Sequence, residues 1–401
     1  MYKKAISKMS KSKNIEVPNL PEANPIQSAT NRLFGLDVAR LFAMLLMVQG
    51  HTLYCLLRDG VLSSGVWYWN LWTFCRGFTA PVFLMVSGAV HIFANKRDEN
   101  GIFPNSTAKK RIKVCLILFA VGYLLQFPAN TIYDLPFINV KYFYSFFKVN
   151  ILQMFAATLI FLTILFKLTK NNKQLAIIAF ILGNIFIFSS HFSLQVNWFE
   201  HLPIPFASFF SMRHGTIFPL LPFSGYLLIG TFLGYLLQNI PHENRNWYII
   251  KNFVLIGIPY VILGFAIDNW YSHGGFKIIG SVGTSMGISV YRVGVAMLMI
   301  ATAVFLSRFM LRFQAPISML SQKALFIYVI HLLIIYGSPI SPGIRHLFFN
   351  VDIYTAFYCA FFVIFFSLFF VYLYDVTSKN KMAKHFYKYA IVALLIYRLL
   401  L

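Results

Sequence analysis

Four polar residues interrupt one apolar run, GLDVARLFAMLLMVQGHT from Gly35 to Thr52: Asp37, Arg40, Gln49 and His51. At about 100° and 1.5 Å per residue, the steps from Arg40 to His51 make three full turns plus about 20° and rise about 16 Å. Asp37 falls about 60° to one side of Arg40 on the same wheel, so Asp37, Arg40 and His51 form one polar stripe. Ionisable groups are costly in hydrocarbon and normally face a bundle interior or a wet cavity. Two readings fit the stripe: a structural Asp37–Arg40 pair beneath a satisfied histidine, or a reaction site. Histidine is the natural general base near neutral pH, and a neighbouring cation favours its neutral form. Arginine can steady an acyl-transfer oxyanion or hold a phosphate, with Asp37 to orient it.

The next apolar run, WTFCRGFTAPVFLMVSGAVH, carries Arg76 and Ser87 at the same spacing of eleven, with His91 one turn further on. On one continuous helix Arg76 and Ser87 share a face. If this helix runs antiparallel to the first, Arg76 comes to the depth of His51 while Ser87 approaches Arg40. The alternative is that Arg76 bonds to carbonyls freed by Pro81 and holds a kink.

The elements that must position these residues are membrane helices. The 401 residues are 58% hydrophobic and 11% charged, with 44 Phe and 22 Tyr, a composition foreign to soluble domains. The expected fold is an all-α polytopic bundle. Ten apolar stretches of spanning length fall at about 33–57, 66–94, 111–127, 149–166, 175–190, 217–237, 252–270, 290–306, 324–337 and 353–374, with the fifth and ninth short. A final run from Tyr389 to Leu401 suits an interfacial or partial eleventh helix. Residues 1–30 form a polar tail with five lysines and no signal-peptide pattern, and 31–401 make one transmembrane domain.

The net charge of +22 does not indicate a nucleic-acid partner, because the cations sit in short clusters between spans. In alternate loops, one side holds 25 Lys and Arg and the other six: Arg58, Lys141, Lys148, Arg213, Lys277 and Arg345. This asymmetry places both termini in the cytoplasm, and ten spans satisfy it. The four cysteines show no metal-ligand or CxxC spacing, and only Cys55 and Cys75 are placed to meet.

Further candidates surround the stripe. Gln49, Gln153, Arg292 and His331 are candidate substrate contacts. For Gln153 a helix bridge is the alternative, for Arg292 snorkelling to headgroups, and for His331 a structural bond to Tyr328 or a neighbouring helix. Ser87, Lys96, Arg97 and Arg111 lie where the phosphates of CoA would approach from the cytoplasm, although topology signalling alone explains the basic cluster. Gly230 and Gly234 form a GxxxG pair, most simply a helix contact. Walker A and HExxH patterns are absent, so ATP-driven transport and zincin chemistry have no support.

The blocks RLFGLDVARLFAMLLMVQGHT, RGFTAPVFLMVSG and NILQMFAATL resemble the heparan-alpha-glucosaminide N-acetyltransferase-like membrane family, and more distantly the wider acyltransferase-3 group. The likeness runs from Arg32 to about Tyr336. It implies ten or eleven helices, cytosolic acyl-CoA as co-substrate with no permanently bound cofactor, and a sugar acceptor. Arg40 and His51 match the pair regarded as essential in the acyltransferase-3 group. This chain has Ala39-Arg40-Leu41 where Leu-Arg-Gly is usual. It has Arg58 and Asp59 where the lysosomal enzymes place an outer-loop histidine, so that histidine's role is not carried over.

The residues and the resemblance lead to an integral-membrane O- or N-acyltransferase in a bacterial inner membrane, passing an acetyl group to a saccharide or glycolipid on the outer side. The competing classes are a transporter or flippase of a lipid-linked sugar or organic anion, and a non-catalytic envelope partner. The lack of a repeat between the halves weighs against an inverted-repeat transporter.

Overall fold

A computed structural model describes residues 33–62, 65–127, 132–272, 285–337, 342–380, 382–383, 385–387, 389 and 393. The expected tail, Lys277 and almost all of the terminal run lie outside the described residues.

The helices that matter are α1 (Phe34–Leu56), α2 (Trp67–Arg76), α3 (Thr79–Ala94), α4 (Asn105–Leu124), α5 (Val140–Phe147), α6 (Ile151–Leu168), α7 (Asn172–Phe188), α8 (Leu220–Gln238), α9 (Arg245–Ser272), α10 (Met286–Ser307), α11 (Gln314–Gln322), α12 (Ala324–Tyr336) and α13 (Ile353–Thr377). Local chemistry starts several of them. Asn171, Ser285 and Asp352 each accept a hydrogen bond from the backbone N–H three residues on, at the heads of α7, α10 and α13.

Among the described residues, seven stretches are helical, long and apolar enough to cross a membrane by length and composition. The short fifth and ninth expected spans correspond to apolar helices of 17 and 13 residues. The third, at 111–127, falls in α4, whose opening turns carry Lys109, Lys110, Arg111 and Lys113. These charges lower its apolar character at one end.

The second expected span is not one continuous helix. It breaks at Gly77–Phe78, where the N–H groups of both residues turn to carbonyls three residues back. Pro81 has no N–H to offer the Gly77 carbonyl, so a regular ladder cannot cross this point. The wheel that put Arg76 and Ser87 on one face therefore does not carry through.

Helix α1 is the centre of the bundle and packs against α3, α10, α11, α12 and α13. Beside it, α3 and α8 approach until backbones touch. A Cβ at Gly88 would collide with the Leu227 carbonyl, and at Gly230 or Gly234 with the carbonyls of Met85 and Ala89. The GxxxG pair of α8 thus makes a helix contact, with α3 as its partner. The same close packing joins α9 and α10 through Gly264, Gly287 and Gly294.

Candidate active site

Helix α1 holds its polar residues at three levels. At its N-terminal end Asp37 is buried and its carboxylate accepts from the hydroxyls of Ser318 and Ser321, at 2.9 and 3.0 Å. The residue expected to orient Arg40 thus also ties α1 to α11, which the helical wheel of α1 had no means of indicating. Arg40, one turn on, is partly buried, as is Ser87 on the neighbouring α3.

Near the C-terminal end of α1, two helices converge on His51. From α12, His331 brings its ring to 5.5 Å from the His51 ring, tilted by 39°. His331 is fully buried, and its Nδ1 lies 3.1 Å from the Ile327 carbonyl oxygen. A carbonyl only accepts, so Nδ1 carries the proton and Nε2 keeps a lone pair. That Nε2 has no hydrogen-bond partner among the described residues. The edge of Tyr328 closes the ring's other side at 5.2 Å, a ring contact in place of the expected hydrogen bond.

From α2, Arg76 lies against Gly50. A Cβ there would stand 3.0 Å from Arg76 Cγ, so the glycine makes room for the arginine. The guanidinium sits 4.5 Å from the centre of the Tyr54 ring and 5.2 Å from that of Trp72, and its charge reaches the His51 ring. Trp72 in turn donates through Nε1 to Gln49 Oε1 at 3.2 Å, so Gln49 also fastens α2 to α1. The first two membrane segments therefore touch, and they touch beside His51.

The remaining candidates lie elsewhere. Arg292 does not snorkel: it is 7% exposed, lies near buried Tyr226, and would stand 3.3 Å from a Cβ at Gly77. Its guanidinium fills the space opened by the α2–α3 break. Gln153 is fully buried against Gly122 of α4, and both its amide atoms lack partners among the described residues. All four cysteine thiols are free, Cys55 beside Tyr336 and Cys75 exposed.

Past the C-terminal end of α3, Arg97 donates to Asn172 Oδ1, Gly101 O, Thr169 O and Thr169 Oγ1, at 2.7–3.0 Å. Burial lowers its pKa, and every guanidinium nitrogen is engaged. Arg111 donates to Asn95 Oδ1 and the Ala94 carbonyl. Lys96 stays exposed, as do Lys109, Lys110 and Lys113. Two of the expected CoA contacts thus shape the loop, while the lysines around them remain open to an anion.

The described residues contain no cluster of His, Cys, Asp or Glu suited to a metal ion. A cavity of about 590 Å³ has Arg76, Tyr54 and Tyr336 on its wall. Composition and periodicity did not mark this cavity, because its wall combines four segments, around 54–62, 73–76, 336 and 345–350.

Among known proteins, the catalytic family of heparan-alpha-glucosaminide N-acetyltransferase matches residues 32–266. No curated protein and no solved structure gives a significant match. The family match covers α1 to α8 and most of α9, and so includes His51 and Arg76; His331 lies beyond it. Since it spans more than half of the chain, this protein belongs to the heparan-alpha-glucosaminide N-acetyltransferase catalytic family.

Proposed function

We propose that this chain is an integral-membrane acetyltransferase that carries an acetyl group from cytosolic acetyl-CoA to a hydroxyl or amine of a saccharide or glycolipid on the outer side. The observation that carries this reading is the His51–His331 pair beside Arg76, an arginine that also lines a cavity. Family membership supports the acyl chemistry.

In the proposed reaction the acceptor oxygen or nitrogen attacks the thioester carbonyl as His51 takes its proton. Negative charge gathers on the carbonyl oxygen, where a guanidinium such as Arg76 is suited to meet it. Collapse breaks the carbon–sulfur bond, the acyl group stays on the acceptor, and the CoA thiolate takes the proton back from His51. His331, with its free Nε2, offers a second basic nitrogen next to that proton. The exposed lysines near Lys96 suit the phosphates of CoA, and the N-terminal end of α1 with Arg40 and Ser87 suits the donor's path.

The test uses the full chain in nanodiscs with labelled acetyl-CoA, with and without a crude envelope-glycan extract, compared with His51→Ala. Label passing to the glycans in the wild type alone supports the reading. Label held on the protein before acceptor is added indicates an acyl-histidine route. If the wild type neither turns over acetyl-CoA nor binds it better than the variant does, the reading fails. Uptake of a sugar or organic anion into vesicles without acyl turnover would establish the transporter instead.

A further inference from the structure

A second cavity, of about 470 Å³, lies between α5 and the 3₁₀ turn Arg213–Gly215, lined by Val140, Lys141, Tyr144, Ser145 and His214. The acyl-transfer reading makes no use of it. Lys141, Tyr144, Ser145 and Lys148 follow the spacing i, i+3, i+4, i+7, so the helix turns them to one side. Lys148 ends that row beside the turn, where its Cδ would stand 3.9 Å from a Cβ at Gly215. The gathering runs against the overall charge pattern. The loops expected on the outer side hold six Lys and Arg, and Lys141, Lys148 and Arg213 are three of them. None of the three pairs with a carboxylate among the described residues, and Glu200, next to Phe199, accepts from Asn197 instead. Burial lowers the pKa of the Lys148 amine, a penalty that an anion beside it would offset.

The wall is held in place. His214 has a left-handed backbone, at φ 57° and ψ 23°, which a residue other than glycine adopts only at a cost. Its ring is gripped from two sides: Tyr144 stacks on it at 4.2 Å, and Phe199 meets it edge-on at 4.7 Å. Beside the turn, the Val149 N–H donates to Thr216 Oγ1 at 3.0 Å and the Ile217 N–H donates to the Val149 carbonyl at 3.2 Å. These bonds tie the chain after α5 to the chain before α8. The surface around the cavity is apolar. Tyr133, Phe137, Val140, Tyr142 and Phe143 are all exposed, Phe137 by 88%. Such a run is costly in water but suits the level of lipid headgroups, where the ends of α4 and α6 place it. Lysines at that level meet lipid phosphates.

We infer that the cavity between α5 and the Arg213–Gly215 turn binds the phosphate of an anionic phospholipid, held by Lys141 and Lys148 with His214 donating from its ring, while the exposed rings of α5 rest at the headgroup boundary. A zwitterionic lipid carries an ammonium group next to its phosphate, which these lysines repel. A phosphodiester to glycerol carries none. The site is separate from the acetyl-transfer chemistry and does not depend on that reading.

The experiment titrates the full chain in detergent with dioleoyl phosphatidylglycerol, dioleoyl phosphatidylcholine and sn-glycerol 3-phosphate, and counts bound molecules by native mass spectrometry. The first phosphatidylglycerol should bind about tenfold tighter than the first phosphatidylcholine, and the advantage should shrink as salt is raised. The double variant Lys141→Gln, Lys148→Gln should lose most of that preference, while Lys141→Arg keeps it. The double variant Lys170→Gln, Lys173→Gln removes the same charge from exposed positions at the other end of α6 and should also keep it. Ser145→Asp puts a carboxylate on the cavity wall without removing a lysine and should abolish the preference by itself. It decides the question if the first double variant does not fold. Equal affinity for the two lipids overturns the inference. So do equal losses in the two double variants, which would show that charge anywhere on the surface suffices. Glycerol phosphate that binds as tightly as phosphatidylglycerol and displaces it would reveal a free-phosphate site and overturn the assignment to lipid.

Discussion

The rings of His51 and His331 lie 5.5 Å apart, one from the second half of α1 and one from α12, with Arg76 acting on the first. Two imidazoliums at that distance beside a guanidinium would gather three cations in a poorly solvated place. Charge on one ring therefore works against charge on the other, so the two rings act as one unit.

The first prediction concerns this pair. His51→Ala should lower acetyl transfer by about 10²–10⁴-fold, the usual worth of a positioned base. His331→Gln should lower it less and change the shape of the pH–rate profile, because the unit then contains one imidazole. The double variant should be no worse than His51→Ala. Profiles of transfer rate from pH 5 to 9 check this, and an unchanged profile in His331→Gln would remove His331 from the chemistry.

Gly50 makes a second case. A Cβ there meets Arg76 Cγ at 3.0 Å, the stem of a flexible side chain rather than backbone. Gly50→Ala should leave thermal stability near the wild-type value, since Arg76 can swing away. The displaced guanidinium should cost about 10–100-fold in transfer rate, as angström-scale misplacement does. Gly88→Ala should behave in the opposite sense: its Cβ meets the Leu227 backbone, which cannot yield. Overpacking at such a point costs about 1–3 kcal/mol, and thermal unfolding in detergent should show it directly. If Gly50→Ala unfolds as readily as Gly88→Ala, the assignment of Gly50 to the site is wrong.

The buried carboxylate of Asp37 gives a third test. It accepts from Ser318 and Ser321, so Ser321→Ala removes a hydrogen bond to a charged group. The expected loss is about 1.5–3 kcal/mol of stability. Asp37→Ala should cost more than Ser321→Ala, because it removes the acceptor of two hydroxyls where α11 meets α1. Thermal unfolding of the two single variants and the double decides this. Additive losses would show that the serine and the carboxylate do not act on each other.

These sites differ in how far the chain's text revealed them. Apolar length and charge asymmetry mark the spans, because a bilayer penalises exposed polar backbone and charge whatever the tertiary fold. Counting residues along α1 and α2 was enough to bring Arg76 to the depth of His51, and the Gly50 contact realises that geometry. The break at Gly77 is legible as Pro81, four residues on, whose kink is the alternative to one continuous helix. His331 was noticed as an oddity of its own helix. Which helix it faced depended on α12 packing against α1, and a wheel holds no information about partners. The serines of α11 were missed for the same reason, since Ser318 and Ser321 are ordinary until Asp37 is seen beneath them. The cavity rim was the least legible, because 56–59 and 350–351 meet through two backbone hydrogen bonds and one from the Asp59 N–H to the Asn350 side chain.

The last prediction concerns the loop after α3. Arg97 sends its three nitrogens to four acceptors, which draws the loop at Gly101 to Thr169 and Asn172, between α6 and α7. A lysine keeps the charge but has one nitrogen in place of a planar fork, so it cannot reach acceptors on two sides at once. Arg97→Lys should therefore lose at least ~2 kcal/mol of stability, with hydrogen bonds from a charged donor as the source and solvent screening at the exposed side reducing the sum. Lys96→Ala, one residue away and exposed, should leave stability unchanged but weaken acetyl-CoA binding by about threefold to tenfold, as expected when one cation leaves a phosphate site. Thermal unfolding and acetyl-CoA titration of both variants separate the two roles. If Arg97→Lys unfolds like the wild type and binds acetyl-CoA less well, then Arg97 belongs to the donor site and the loop is held by other contacts.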